Sequence, residues 1–233
     1  VSKKKSSRKT KKASVSKKKI AGVIAGTIIA GSSFFVLKSG NHKFVLPAYQ
    51  SVQVFDGDTF TTKDRQNIRL ASLNAPDRGN CGYEEATKEL NKLIKNKPLY
   101  LKVRFIDQTK RLVSYVYTPQ GSVNVQMVKS GWARSNTLND SERAALKKAS
   151  QYAKKHELGI YSPLCLSKVP EKPGCVIKGN TTSAGGIKTY LLPECKNYTK
   201  TLVEKDLGDQ WFCTEAKAKR AGFERSSGCP TTP

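Results

Sequence analysis

The chain has 233 residues and a formal net charge of +24, from 42 Lys and Arg against 18 Asp and Glu. That length allows one mid-sized domain and a small one once the basic and apolar beginning is set aside. The charge points to a polyanionic partner, and six cysteines with no C-x-x-C pair and only His42 and His156 beside them argue against a zinc site.

Ten of the positive charges fall in the first 19 residues, which hold no acid; taking ten from 24 leaves +14 for the rest. Residues 1–19 read as a disordered cytoplasmic tail. Ile20 to Leu37 follows as 18 residues without a charge, and Lys38 closes the expected anchor over 20–38. At 1.5 Å per residue the stretch spans about 27 Å, close to the thickness of a bilayer core. A cleaved signal peptide is the competing reading. Against it, the bulky Phe34-Phe35-Val36-Leu37 stands where a small-residue cleavage site belongs, and no cysteine follows directly for a lipid. Lysines ahead of the span keep the amino terminus in the cytoplasm under the positive-inside rule, so the remainder is expected outside the cell.

Residues 45–163 read as one α+β domain. Ser51–Phe55 is strand-like and runs into the turn signal Asp56-Gly57-Asp58. Thr59–Thr62 and Asn67–Leu73 read as the next two strands. Tyr83–Asn96 reads as a helix with Ala86, Leu90, Leu93 and Ile94 on one face. Leu99–Ile106 and Arg111–Thr118 read as two more strands, and Ser122–Ser130 as a short helix stopped by Gly131. Asn139 with Glu142 forms a capping-box pattern that opens a helix through His156, its apolar face Ala145, Ala149, Tyr152 and Ala153. Five strands with three helices in this order suggest a small closed barrel of the OB type.

Several segments carry a specific resemblance. They are Val54-Phe55-Asp56-Gly57-Asp58-Thr59; Asn67-Ile68-Arg69-Leu70 with Leu73-Asn74-Ala75-Pro76-Asp77; and Asp107 with Lys110-Arg111-Leu112-Val113-Ser114-Tyr115-Val116-Tyr117. Gly131-Trp132-Ala133-Arg134 and Leu158-Gly159-Ile160-Tyr161 complete the set. In this order, over residues 50–162, the chain resembles the staphylococcal-nuclease-like, or thermonuclease, family. The resemblance implies phosphodiester hydrolysis. It assigns Arg69 and Arg111 to the charge that builds on the phosphoryl oxygens, where planar guanidinium forks suit the geometry. It places Asp77 where a carboxylate orients or deprotonates water. It implies calcium, a hard ion wanting oxygen donors, at Asp58, Asn74 and the Ala75 carbonyl.

The chain departs from the family pattern at several of these places. Asp77 stands in place of a glutamate, which sets its carboxylate back by about 1.5 Å, one carbon–carbon bond. Asn74 stands in place of a second metal aspartate, so one negative charge is missing. Lys110 and Leu112 replace small residues beside the second arginine, and Thr109 replaces an aromatic.

Pro163, Pro170 and Pro173 mark 164–174 as a linker to a small unit over 175–233. Cys175-Val176-Ile177-Lys178-Gly179-Asn180, Thr189 through Cys195, and Trp211-Phe212-Cys213-Thr214-Glu215 resemble a module appended to such nucleases, with Leu191 where a histidine is usual. A unit this small needs staples, and cysteines beyond a membrane span favour disulfides. Cysteine order suggests Cys81–Cys165, Cys175–Cys229 and Cys195–Cys213. The resulting expectation is a membrane-anchored, calcium-dependent nuclease that cleaves DNA or RNA outside the cell. The alternative is a catalytically weak or inactive nucleic-acid-binding surface protein, with Asp77 and Asn74 as the reason.

Overall fold

The computed structural model describes residues 48–136, 141–182 and 186–230, together with two short strands, β1 (Lys38–Ser39) and β2 (His42–Lys43), that pair with each other. The expected tail and nearly all of the expected anchor lie outside these residues. No helix among the described residues is long and apolar enough to cross a membrane.

β3 (Ser51–Val54), β4 (Thr59–Thr62) and β5 (Asn67–Leu70) form an antiparallel meander, followed by the two-residue β6 (Leu73–Asn74). Helix α1 (Tyr83–Ile94) leads to β7 (Tyr100–Ile106) and β8 (Leu112–Thr118). β8 pairs antiparallel with β7 and parallel with β5, giving the order β3-β4-β5-β8-β7. Tyr49 and Leu99, just ahead of β3 and β7, exchange two backbone hydrogen bonds of 2.8 Å. That exchange joins the two ends of the row and closes it into a barrel. Phe60, Ile68, Leu70, Tyr115 and Val116 fill the core at 0–1% exposure.

The short β9 (Gly121–Ser122) leads into α2 (Val123–Lys129), where the Ser122 side chain accepts from the Val125 amide. β10 (Arg134–Ser135) pairs with β6, and α3 (Arg143–Lys155) follows. As its spacing predicts, α1 buries Ala86, Leu90, Leu93 and Ile94. α3 differs from expectation: it buries Leu146, Ala149 and Ala153, while Ala145 and Tyr152 are exposed. An alanine-rich helix offers two adjacent stripes of similar hydrophobicity, and the large Leu146 decides which faces inward. The helix start also differs from the one expected. Glu142 is itself the N-cap residue and makes no capping bond, its carboxylate instead accepting from the Tyr117 hydroxyl at 2.8 Å; Asn139 lies outside the described residues.

The strand expected over Asn67–Leu73 breaks after Leu70. Ser72 takes a left-handed φ of 60°, and Leu73–Asn74 leaves the barrel to pair with β10. Asn124, fully buried on α2, satisfies the break. Its amide donates to the Ala71 carbonyl at 2.9 Å, and its oxygen accepts from the Val116 amide at 2.9 Å. The turn carries Asn74 to Asp77 away from the barrel wall and back toward Asp58.

Beyond α3, β11 (Leu166–Ser167) lies in the stretch expected as a linker and pairs with β14 (Val203–Glu204). β12 (Ile177–Thr181), β13 (Lys188–Leu191), β15 (Gln210–Phe212) and β16 (Glu224–Arg225) form a sheet in the order β15-β12-β13-β16, covered by α4 (Glu215–Arg220). Tyr190, Phe212, Phe223 and Ile177 make its core, and Leu191 is 5% exposed within it. The described residues belong to one compact unit.

All six cysteines are in disulfides, but two pairs differ from those expected. Cys81–Cys165 forms; the others are Cys175–Cys213 and Cys195–Cys229. Strand register explains the exchange. Antiparallel pairing of Ile177 with Phe212 sets Cys175 beside Cys213. Parallel pairing of Tyr190 with Arg225 makes the chains after β13 and β16 run side by side, bringing Cys195 to Cys229.

Candidate active-site cleft

Six residues singled out in the sequence, Asp58, Arg69, Asn74, Ala75, Asp77 and Arg111, line a single cavity of about 700 Å³. The fold assembles them from four places: the turn before β4, the middle of β5, the segment running out of β6, and the loop before β8.

Asp58 is 4% exposed at the end of the Asp56-Gly57-Asp58 turn. The Asp56 carboxylate accepts from the Asp58 amide at 2.9 Å and shapes the turn. A Cβ on Gly57 would lie 2.5 Å from the Ala86 Cβ and 2.6 Å from the Ala75 Cβ, so only glycine lets α1 and the Ala75 segment close on this turn. The Asp58 carboxylate accepts from the Thr59 hydroxyl at 2.9 Å and the Ala75 amide at 3.1 Å, and it forms an ion pair with Arg69. Burial pushes the Asp58 pKa up, opposed by the Arg69 charge.

Arg69 faces Thr59 across the β4–β5 pair, which brings its guanidinium to Asp58. The second terminal nitrogen donates to the Asn74 Oδ1 at 2.8 Å. Arg69 therefore spans the two side chains expected to hold a cation. Asp77 is exposed, and among the described residues no donor meets its carboxylate.

Arg111 is held at its backbone end. Asp107 accepts from the Arg111 amide at 2.9 Å and from its Nε at 2.8 Å, which leaves the two terminal nitrogens of the fork. The same backbone bond, with the Thr109 and Arg111 side-chain bonds, holds the Asp107 pKa down at about 2.

The sequence reading missed part of the lining. Asp56 and Pro76 belong to it, as do Arg134, Ser135 and Asn136 around β10, and Thr181, Thr182, Gly186, Asp206 and Leu207 from the carboxy-terminal unit. Arg134 lies in a motif that the sequence does expose; its partner Asp206 carries no such signal. The carboxy-terminal wall is held by Arg134 to Asp206 and Glu204, by Cys81 N to Lys205 O at 3.2 Å, and by Lys205 N to Cys165 O at 2.9 Å. Asn80 adds a bond from its amide to the Asp206 carbonyl at 3.1 Å.

Asp58, Asn74 and the Ala75 carbonyl are oxygen donors, the type a hard cation takes, but they bring one formal negative charge. Among the described residues there is no cluster of three or more His, Cys, Asp or Glu suited to a metal.

Residues 67–163 match the model of the staphylococcal nuclease homologue family. An uncharacterized endonuclease of Haemophilus influenzae (strain ATCC 51907 / DSM 11121 / KW20 / Rd) is 31% identical over 95 residues, 38% of this chain and 53% of that protein. The chain thus spans about half the length of the curated relative it matches. The matched stretch contains Arg69, Asn74, Ala75, Asp77 and Arg111, whereas Asp58 precedes it.

Proposed function

We propose that the cleft hydrolyses phosphodiester bonds of DNA or RNA, with calcium. The observation that carries this reading is the convergence of two arginines and an unpartnered carboxylate, Arg69, Arg111 and Asp77, on one cavity. The forks of Arg69 and Arg111 stabilise negative charge on the phosphoryl oxygens as water adds. Asp77 orients that water and accepts its proton as the new P–O bond forms, and the P–O bond to the departing nucleotide oxygen breaks, that oxygen taking a proton from solvent. Asp58, Asn74 and the Ala75 carbonyl would hold the cation. Bound there, calcium supplies a positive charge that fixes the phosphate and offsets its charge. Arg69 must release Asn74 or Asp58 to reach a phosphate.

That engagement favours a second reading, nucleic-acid binding without turnover, in which Arg69 stays committed to Asp58 and Asn74. The membrane anchor and the extracellular placement belong to the same proposal. The lysine-flanked apolar stretch supports them, and so do three disulfides, which fit an oxidising compartment.

The test is cleavage of single-stranded DNA by the full chain with added calcium or with chelator. The expected result is calcium-dependent cleavage, reduced at least about 100-fold by Arg69→Ala and by Arg111→Ala. Binding without cleavage by the wild type selects the second reading. Cleavage undiminished in the double variant discards the site.

A further inference from the structure

A second groove of about 450 Å³ adjoins the cleft and shares Arg134, Ser135 and Asn136 with it. Those three residues form a ridge between the two. The ridge is fixed from below: Arg134 and Ser135 pair with Asn74 and Leu73, and the Asn136 amide donates to the Ser72 carbonyl at 2.8 Å. The far bank is α3, which presents Arg143, Lys147, Ser150 and Lys154 to the groove. Their spacing of i, i+4, i+7 and i+11 keeps them within about 60° of helix arc and strings them over about 16 Å. Among the described residues no Asp or Glu lines the groove, and α3 contains no acidic residue.

Helix stability does not account for this stripe. Lys154 in the last turn complements the helix dipole, but Arg143 in the first turn opposes it. Solvation does not account for the concavity either, since Lys148 and Lys155 serve that purpose on the remaining surface of the same helix.

We infer that this groove is a binding track for the phosphate backbone of single-stranded nucleic acid, next to the cleft and across the Arg134–Asn136 ridge. The inference rests on the reading of the cleft as a nucleic-acid site. A strand with its reacting phosphate near Arg69 and Arg111 crosses the ridge and lays its neighbouring phosphates along Arg143, Lys147 and Lys154. Those contacts are salt-sensitive, independent of base identity and remote from the chemistry.

The test compares two full-chain variants with the same change in charge. One carries Arg143→Gln, Lys147→Gln and Lys154→Gln; the other carries Lys88→Gln, Lys148→Gln and Lys155→Gln, at exposed positions outside the groove. Binding of a long fluorescent single-stranded oligodeoxynucleotide is followed by anisotropy across a salt series, in chelator so that nothing is cut. The groove variant is expected to lower the slope of log affinity on log salt by about 2, from about 0.7 per lost phosphate contact, with the control variant close to wild type. Equal slopes in both variants overturn the inference, because net charge alone then explains binding. Loss of binding to anionic phospholipid vesicles with oligonucleotide binding intact also overturns it. With calcium, the preference in kcat/KM for the long strand over bis(4-nitrophenyl) phosphate is expected to fall about tenfold in the groove variant only. Absence of cleavage by the wild type refutes the cleft reading, while the binding slopes still decide on the groove.

Discussion

Arg134 and Asp206 are joined by two hydrogen bonds, Nε to Oδ2 at 2.6 Å and Nη2 to Oδ1 at 2.8 Å, across the seam between the barrel and the carboxy-terminal unit. The same Nη2 reaches Glu204 at 2.9 Å. Burial alone would pull the Arg134 pKa down, but the Asp206 bonds and the charges of Asp206 and Glu204 more than offset it and hold it above its usual value. Arg134 is therefore charged throughout the working pH range. Removing one member leaves the other poorly solvated, so Asp206→Asn is expected to cost on the order of 3 kcal/mol in urea unfolding of the full chain. Joint replacement by Arg134→Met and Asp206→Leu should cost less than either single change. If the single and double variants unfold like the wild type, the seam is not held by this pair.

Asn124 gives a prediction about the broken strand. Its side chain is fully buried and bonds the Ala71 carbonyl and the Val116 amide, the groups that the break at Ser72 leaves without sheet partners. Asn124→Leu keeps the branched outline of the side chain and leaves both groups without a partner. The expected loss is about 2–4 kcal/mol, with the proposed cleavage activity falling as well because the same break aims Asn74 and Asp77. Stability and activity are read on the same preparation; unchanged stability contradicts the account.

Asp107 sets a pH dependence. Its pKa in the folded chain is about 2, below the ordinary value near 3.9 for an unfolded aspartate. A depressed pKa means stability that is present above about pH 4 and lost as pH falls toward 2. The bonds to the Arg111 amide and Nε are the ones released, so Arg111 is expected to lose its orientation in that acid window and to keep it at neutral pH. A carboxylate NMR titration of Asp107 with a midpoint near 2 bears this out, and a midpoint near 4 contradicts it.

Parts of this architecture are legible one residue at a time. The spacing of Ala86, Leu90, Leu93 and Ile94 permits one buried face, and α1 uses it. Arg69, Asp77 and Arg111 stand in the segments that carry the resemblance to the thermonuclease family, and one cavity collects them. Ser72 was not legible, because the apolar pattern from Ile68 to Leu73 runs through it without a glycine or proline. Leu146 was not legible because Ala145 and Ala149 offer a competing stripe. The partners of Cys175 and Cys195 follow from register between strands, which sequence order does not contain. Asp206 lies 72 residues from Arg134, and only the docking of the two units brings it into the cleft.

The two departures at the centre of the cleft make the sharpest prediction, because they act on different quantities. The Asp77 carboxylate is exposed to a cavity of about 700 Å³ and meets no donor among the described residues. Asp77→Glu adds one methylene, about 1.5 Å of reach, into open space. If Asp77 activates water from a retracted position, kcat is expected to rise, since a misplacement near 1 Å can cost on the order of 100-fold. The calcium concentration for half activity should stay as it was. Asn74→Asp acts the other way. It restores a negative charge beside Asp58 and the Ala75 carbonyl, so half-activation should need less calcium. Its cost falls on Arg69: Asn74 already accepts from that guanidinium at 2.8 Å, and an aspartate would hold it more tightly. At saturating calcium, kcat for Asn74→Asp is therefore expected to gain little or to fall. The paired variant should combine the kcat of the first change with the calcium response of the second. Calcium titrations of cleavage rate for the wild type and the three variants separate the two effects. A rise in kcat from Asn74→Asp alone, with the calcium midpoint unmoved, would show that Asn74 is not a cation ligand.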